Sequence, residues 1–143
     1  MLSTDKIKYL LSHGENKQVE FKKCTDKVSA SVYETVCSFL NAEGGYIFLG
    51  VDDDGTILGI NPKCVTDITK SIINTLNNLE QFLPPMPITP EQTEIDGKII
   101  LYLNVPESEQ VHRYKNRFYD RWGDADNDVS KHTYLVKNMF MRK

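Results

Sequence analysis

Residues 43–60 read EGGYIFLGVDDDGTILGI, and the fold depends on this stretch more than on any other. Its centre, YIFLGV, is a continuous apolar run too short for a helix, which is typical of a strand buried on both faces. The segment TILGI, after the three aspartates, is predicted to be its antiparallel partner, with the aspartates and Gly55 forming the turn. The stretch therefore predicts a hairpin in the core of a sheet.

Hydrophobic periodicity on either side of this hairpin predicts four helices and several further strands. The helices are expected between Ser3 and Gly14, over 29–45, from 65 to about 82, and in a tail that begins at Ser130. Strands are expected over 17–23, 91–95, 98–105, 110–114 and 117–122. This order predicts an α/β chain of the α+β type, with helices packed on a mixed, largely antiparallel sheet. We expect a single compact domain over residues 1–143, and the sequence is also compatible with an N-terminal piece of a longer protein.

Composition is that of an ordinary globular protein, with 40% hydrophobic and 26% charged residues in 143. The net charge of -3 argues against a generally basic nucleic-acid binder, so any binding face must be local. Three cysteines without C-x-x-C spacing indicate neither a disulfide framework nor a zinc ribbon, and a reducing cytoplasm is the simplest location. No apolar stretch approaches the roughly 18 residues of a membrane span, so no membrane association is expected.

Carboxylates are the first candidates for chemistry, because Mg²⁺ and Mn²⁺ are held by a few oxygen ligands. Glu15 and Glu20 lie at the first predicted strand, and Asp52 and Asp53 follow the central one. Lys22 shares a strand face with Glu20, where an ammonium can stabilise charge on a metal-bound phosphate. The same residue types also occur on ordinary solvent-facing strands and in acidic turns. A metal site and a purely structural role for these acids therefore both stay open at this point.

A nucleotide loop has less support. Gly45 and Gly50 have the G-x-x-x-x-G spacing of a P-loop, but Val51 stands where the P-loop lysine belongs. We therefore expect no ATP site and no certain cofactor, with Mg²⁺ or Mn²⁺ as the metal if the domain is a nuclease.

Basic residues interleave with aromatic residues in the segment VHRYKNRFYDRW, and a second basic group follows the first strand. Arginine and lysine beside tyrosine and tryptophan suit contacts with phosphates and bases. The candidate phosphate contacts are Lys22, Lys23, Lys27, Arg113, Lys115, Arg117 and Arg121.

Four segments taken together resemble the AlbA-like (AlbA_2-type) domain of the Schlafen family: GENKQVEFKK, VCSFLNAEGGYIFLGVDDDGTILGI, VPESEQVH and RFYDRWGDADNDVS. The most specific pieces are E-x-x-x-x-E-F-K and N-x-x-G-G-x-[apolar]₃-G-V-D-D, in that order. The resemblance implies a compact α/β fold, nucleic acid as the partner and frequent pairing of the domain as a homodimer. It also places Glu15, Glu20 and Asp53 on the family's three metal-binding acids, with Lys22 on its E-F-K lysine and Asp52 as the neighbouring acid.

Three functions follow from the sequence, of which the resemblance implies the first two. The first is a nucleic-acid-binding module of the DNA-binding or transcription-regulator type. The alternative is a Mg²⁺- or Mn²⁺-dependent endoribonuclease that cuts structured RNA such as tRNA, with Glu15, Glu20, Asp53 and Lys22 as catalytic residues. The second alternative is a protein-interaction or dimerisation domain, which the net acidity favours.

Overall fold

The chain folds into four helices and eight strands, and the computed structural model describes all 143 residues. The helices are α1 (Thr4–Ser12), α2 (Ala30–Asn41), α3 (Val65–Leu76) and α4 (Thr133–Met141). The strands are β1 (Val19–Lys22), β2 (Gly45–Leu49), β3 (Phe82–Leu83), β4 (Glu91–Ile95), β5 (Lys98–Val105), β6 (Arg113–Tyr114), β7 (Tyr119–Trp122) and β8 (Ala125–Asp128). None of the helices combines the length and the apolar character that crossing a membrane requires.

The main sheet has four strands in the order β1-β2-β5-β4. The β2 strand runs parallel to β1 and antiparallel to β5, while β4 and β5 form an antiparallel hairpin. Residues Asp96 and Gly97 turn this hairpin, both with positive φ (52° and 79°), as the DG dipeptide predicts. The α+β class with a mixed, largely antiparallel sheet is therefore confirmed, and the apolar run of β2 lies inside the sheet with helices on both faces.

Side chains alternate across β2 into two separate cores. Ile47 and Leu49 pack with α2 and α3 on one face, in a cluster of 20 buried residues. Phe48 points to the other face, where Ile7 and Leu11 of α1 cover the sheet in a cluster of nine. The same alternation on β1 sends Phe21 toward α1, so that Glu20 faces the side of the sheet on which α2 packs.

The predicted hairpin of β2 with TILGI is wrong. This segment makes only an isolated bridge, between Val51 and Ile57, and does not form a strand beside β2. Both edges of β2 are already occupied by β1 and β5, so no position is left for a third neighbour. Positive φ at Gly50 (94°) and Gly59 (83°) turns the chain away, and Ile60 N then donates to Ile99 O of β5 (2.8 Å).

The structure also differs from the sequence prediction at helix α3, strand β8 and helix α4. Helix α3 ends at Leu76, because the asparagines that follow it form a turn in which Asn78 O accepts from Phe82 N (2.8 Å). Strand β8 was not predicted, since its sequence ADND has none of the apolar alternation of a strand. Helix α4 begins at Thr133, because the Ser130 hydroxyl donates to Asp128 and accepts from Phe118 N and does not cap the helix.

We expect Gly44→Ala to destabilise the protein more than Gly97→Ala. Both glycines have positive φ (75° and 79°), so the two substitutions share the cost of a left-handed alanine, about 1–2 kcal/mol. A Cβ at Gly44 would also lie 2.5 Å from Val105 O, whereas nothing lies within 4 Å of a Cβ at Gly97. Urea denaturation of the two variants measures the difference. Equal losses of unfolding free energy would show that the close approach of Val105 O to Gly44 adds no cost to the substitution.

Candidate functional site

The carboxyl groups of Glu15 and Glu20 meet beside β1. Glu15 Oε1 accepts from the backbone N–H of Phe21 (3.2 Å), and Glu15 contributes to the raised pKa of Glu20, so the two carboxyls are neighbours. Glu15 is half-buried, and Glu20 is only 6% exposed. The sequence predicted Glu20 on a polar strand face, and the structure shows that other parts of the chain cover this face.

The cover over Glu20 is the side chain of Arg121 in β7. The guanidinium has no solvent exposure, and its Nη1 donates to Glu20 Oε1 (3.1 Å) and to Asp126 Oδ1 (2.8 Å). Nη2 donates to Asn16 O (2.8 Å) and Nε to Lys17 O (3.3 Å). Its central carbon lies 4.8 Å from the ring centroid of Phe39 in α2, within the range of a cation–π contact.

Asp126 of β8 extends these contacts to α2. The hydroxyls of Thr35 and Ser38 each donate to one of its carboxylate oxygens, both at 2.5 Å. We call the side chains of Glu20, Thr35, Ser38, Arg121 and Asp126 the Arg121 network. Burial of the guanidinium is stabilising only because carboxylates and carbonyls take up its charge and its donors.

The pKa of Glu20 is raised from 4.5 to about 7. The largest cause is burial, which disfavours the ionised form, and the hydrogen bond with Glu15 acts in the same direction. Lys22 and Arg121 oppose the shift. Between pH 4.5 and 7 the folded protein therefore binds a proton at this carboxyl that the unfolded chain releases.

The three aspartates lie apart from this pair, in the turn after β2. Asp52 N donates to Thr56 O (2.8 Å) and Gly55 N to Asp52 O (2.9 Å), which closes the turn. The Asp52 side chain pairs with Lys23 (3.4 Å), and the carboxylate of Asp54 accepts from Thr56 N (2.9 Å). Asp53 is exposed and forms no salt bridge, so the acidic turn is stabilised by its own hydrogen bonds.

The predicted metal site is not assembled by this arrangement. Of its four acids only Glu15 and Glu20 meet, and an oxygen of Glu20 is taken by the Arg121 guanidinium. Nowhere in residues 1–143 are three His, Cys, Asp or Glu side chains grouped so that they could hold a metal ion. The donor set around Glu20 therefore does not fit a three-carboxylate metal centre.

The predicted phosphate contacts separate into three groups. Arg121 is buried, so its guanidinium is not available to a phosphate, contrary to the sequence prediction. Lys23 and Arg117 are accessible but paired, with Asp52 (3.4 Å) and Asp128 (2.7 Å). The remaining four form no salt bridge: Lys22, Lys27, Arg113 and Lys115.

Sequence reasoning missed Asp126, Thr35 and Ser38. The two hydroxyls stand three residues apart on the buried side of α2, which is the spacing of neighbours on one helical face. A polar pair on a buried face requires a buried partner, and that signal was present in the sequence. The identity of the partner was not, because Asp126 is 91 residues away from Thr35.

The chain belongs to the Schlafen, AlbA_2 family, which residues 15–130 match. The match includes β1 with Glu15 and Glu20, the aspartate turn and the whole β7–β8 hairpin. The family resemblance seen in the sequence is thus confirmed.

Two solved structures are similar to this fold. One is the N-terminal domain of a Nitrosomonas europaea protein named "Putative ATP-dependent DNA Helicase RecG-related Protein", with 25% identity, a TM-score of 0.58 and 76% of each chain covered. The other is the DIP2311 protein of Corynebacterium diphtheriae, with 15% identity and a TM-score of 0.65 over 96% of this chain and 27% of that one. At this identity the second similarity concerns the fold alone.

A sequence relative occurs in Ureaplasma parvum serovar 3, where it is named "Uncharacterized ATP-binding protein UU034". It is 35% identical over 72 residues, which are 48% of this chain and 20% of that protein. This chain therefore spans about a fifth of the relative's length.

We expect Arg121→Met to cost about 3–5 kcal/mol of unfolding free energy, because it leaves Glu20 and Asp126 buried without their cation. The matched control is Arg117→Met, which removes an exposed pair with Asp128 and should cost less than about 1 kcal/mol. Guanidinium chloride denaturation compares the two. Similar small losses in both variants would contradict the structural role of Arg121.

Stability should also fall as pH rises from about 5 to about 8, because the raised pKa of Glu20 stabilises the folded state only while the carboxyl is protonated. A shift from 4.5 to about 7 corresponds to at most roughly 3 kcal/mol. Urea denaturation at several pH values measures the slope, and Glu20→Gln should flatten it. An unchanged slope in Glu20→Gln would assign the pH dependence to other groups.

Proposed function

We propose that this domain binds nucleic acid, as a DNA-binding or regulatory module, through phosphate contacts made by Lys22, Lys27, Arg113 and Lys115. The observation that carries the proposal is that none of these four cations forms a salt bridge, although the chain has 20 acidic residues. Cations without a carboxylate partner are free to neutralise phosphates and to release the counterions of a nucleic acid.

Two of these cations lie on one face of the domain. Burial raises the pKa of Glu34 in α2, and Lys22 of β1 and Lys115 of the turn after β6 both oppose this shift, so both ammonium groups are on the same side of the domain as Glu34. Positive φ at Lys115 (49°) and Asn116 (62°) forms the tight turn that presents Lys115 to solvent. We call the surface around Lys22 and Lys115 the basic face, and we propose that Lys27 and Arg113 add phosphate contacts to it.

The comparisons support a nucleic-acid-related role. The RecG-related neighbour is named for a DNA helicase, and the similarity to its N-terminal domain covers three quarters of this chain. The Schlafen, AlbA_2 match over residues 15–130 includes all four proposed phosphate contacts. Binding DNA and regulating transcription remain the specific forms that we propose for this role.

Binding is preferred over catalysis because the predicted metal ligands do not converge. Glu20 is held by Arg121, and Asp53 is exposed in a separate turn, so the endoribonuclease alternative lacks its three-carboxylate centre.

Nothing in the structure or the comparisons supports the predicted homodimer, which stays a prediction. If the domain is instead a protein-interaction module, its basic face should bind no nucleic acid.

We expect the double variant Lys22→Ala, Lys115→Ala to weaken nucleic-acid binding. Each lost phosphate contact should also reduce the slope of log affinity against log salt by about 0.9. Fluorescence anisotropy with labelled single-stranded DNA, duplex DNA and tRNA at several salt concentrations measures both effects. The matched control is Lys6→Ala, Lys98→Ala, which removes the same charge at two exposed lysines, one in α1 on the sheet face opposite α2 and one at the start of β5.

Equal losses in the two double variants would contradict the basic face. Binding of no nucleic acid at low salt would favour the protein-interaction alternative. A metal-dependent RNA product that disappears in Glu20→Gln would favour the endoribonuclease alternative, and incubation with Mn²⁺ or with EDTA tests for it.

A further inference from the structure

A cleft of about 420 Å³ opens beside the only tryptophan of the chain. Its walls come from the residues after α2, from β7 and from the end of the chain after α4. Trp122, the last residue of β7, remains 48% exposed at this cleft. A volume of this size is within the roughly 300–1,000 Å³ of small-ligand pockets.

Hydrogen bonds hold the cations of the cleft in place. Arg142 Nη2 donates to Asp120 Oδ1 (2.6 Å) and to Asn41 O (3.0 Å). Lys143 Nζ donates to Leu40 O (3.3 Å) and to Ser108 O (2.8 Å). Each of the two side chains thus binds a carbonyl at the C-terminal end of α2, where the helix dipole favours positive charge, and both line the cleft together with Trp122.

The charges that line the cleft balance. Its cations are Lys17, Arg142 and Lys143, and its carboxylates are Glu43, Glu107 and Asp120; Arg121 also lines it, with its charge taken by Glu20 and Asp126. A pocket without excess positive charge is poorly suited to the backbone of a duplex, which binds through phosphate neutralisation. It suits a neutral, planar group that stacks on the indole.

The cleft is also connected to β1. Lys17 lines the cleft, and its carbonyl accepts from Arg121 Nε (3.3 Å). Arg121 in turn donates to Glu20, two residues from Lys22 of the basic face. Lys22 is thus linked to the wall of the cleft through Glu20 and Arg121.

We propose that this cleft binds an unpaired base of a nucleic-acid strand, with the base stacked on the indole of Trp122. The proposal rests on the proposed function, since the basic face must hold the strand that supplies the base. Stacking on an aromatic side chain is tolerant of base identity, because every base has a π-face. The domain then discriminates single-stranded or locally unpaired segments from intact duplex.

The intrinsic fluorescence of the protein tests stacking directly, because Trp122 is its only tryptophan. Titration with a single-stranded 12-mer should quench this fluorescence. The same 12-mer with abasic sites, or a duplex of equal length, should bind through the basic face with little quenching. Equal quenching by the abasic strand would overturn the proposal, since no base would then be needed.

Variants separate this proposal from the proposed function. Trp122→Ala should weaken single-strand binding about tenfold and leave duplex binding unchanged, while Trp122→Phe should retain most of the affinity. The control is Tyr134→Ala, which removes an aromatic ring that is 73% exposed outside the cleft. Anisotropy with labelled strands measures affinity, and circular dichroism confirms that each variant is folded.

Two failures can be distinguished. If wild type binds both strands and Trp122→Ala binds them equally well, the base site is overturned and the basic face stands. If wild type binds no nucleic acid, the proposed function fails and the base site fails with it.

Discussion

The buried guanidinium of Arg121 is the interaction on which the rest of the structure depends. It contacts the carbonyls of the loop before β1, a carboxylate on β1, a carboxylate on β8 and an aromatic ring of α2. A charge without solvent contact is tolerated only when its donors are satisfied, so these four segments can occupy only one relative position. The β7–β8 hairpin, which belongs to a separate two-stranded sheet, is thereby attached to the main sheet and to α2.

This constraint also determines what the acidic residues can do. Glu20 is withdrawn from solvent and accepts from the Arg121 guanidinium, so its carboxyl is part of the packed interior. In the turn after β2, Asp52 pairs with Lys23 and Asp54 accepts from a backbone N–H, whereas Asp53 stays exposed. The candidate contacts for nucleic acid are therefore the unpaired lysines and arginine, and one exposed indole.

Much of the fold could be predicted from local sequence patterns. The alternation in VEFK, the apolar run YIFL and the DG turn identified β1, β2 and the β4–β5 hairpin, and the serine cap placed the start of α1. The partner of β2 could not be predicted in the same way. TILGI has the composition of a strand, but β1 and β5 occupy the two edges of β2, so TILGI cannot pair with it. Likewise Leu79 fits the helical period of α3, yet the asparagines before it stop the helix.

The sequence by itself determined the class of fold, the family and the positions of the acids and cations along the chain, because periodicity, turn residues and motifs act over short distances. Only the tertiary structure decided which charges meet. Arg121 and Glu20 are 101 residues apart in sequence. Arg121, predicted to contact phosphate, is instead buried against Glu20, which was predicted to bind a metal ion. A salt bridge depends on the geometry of the folded chain and on the exclusion of water, and neither is encoded in the spacing of the letters.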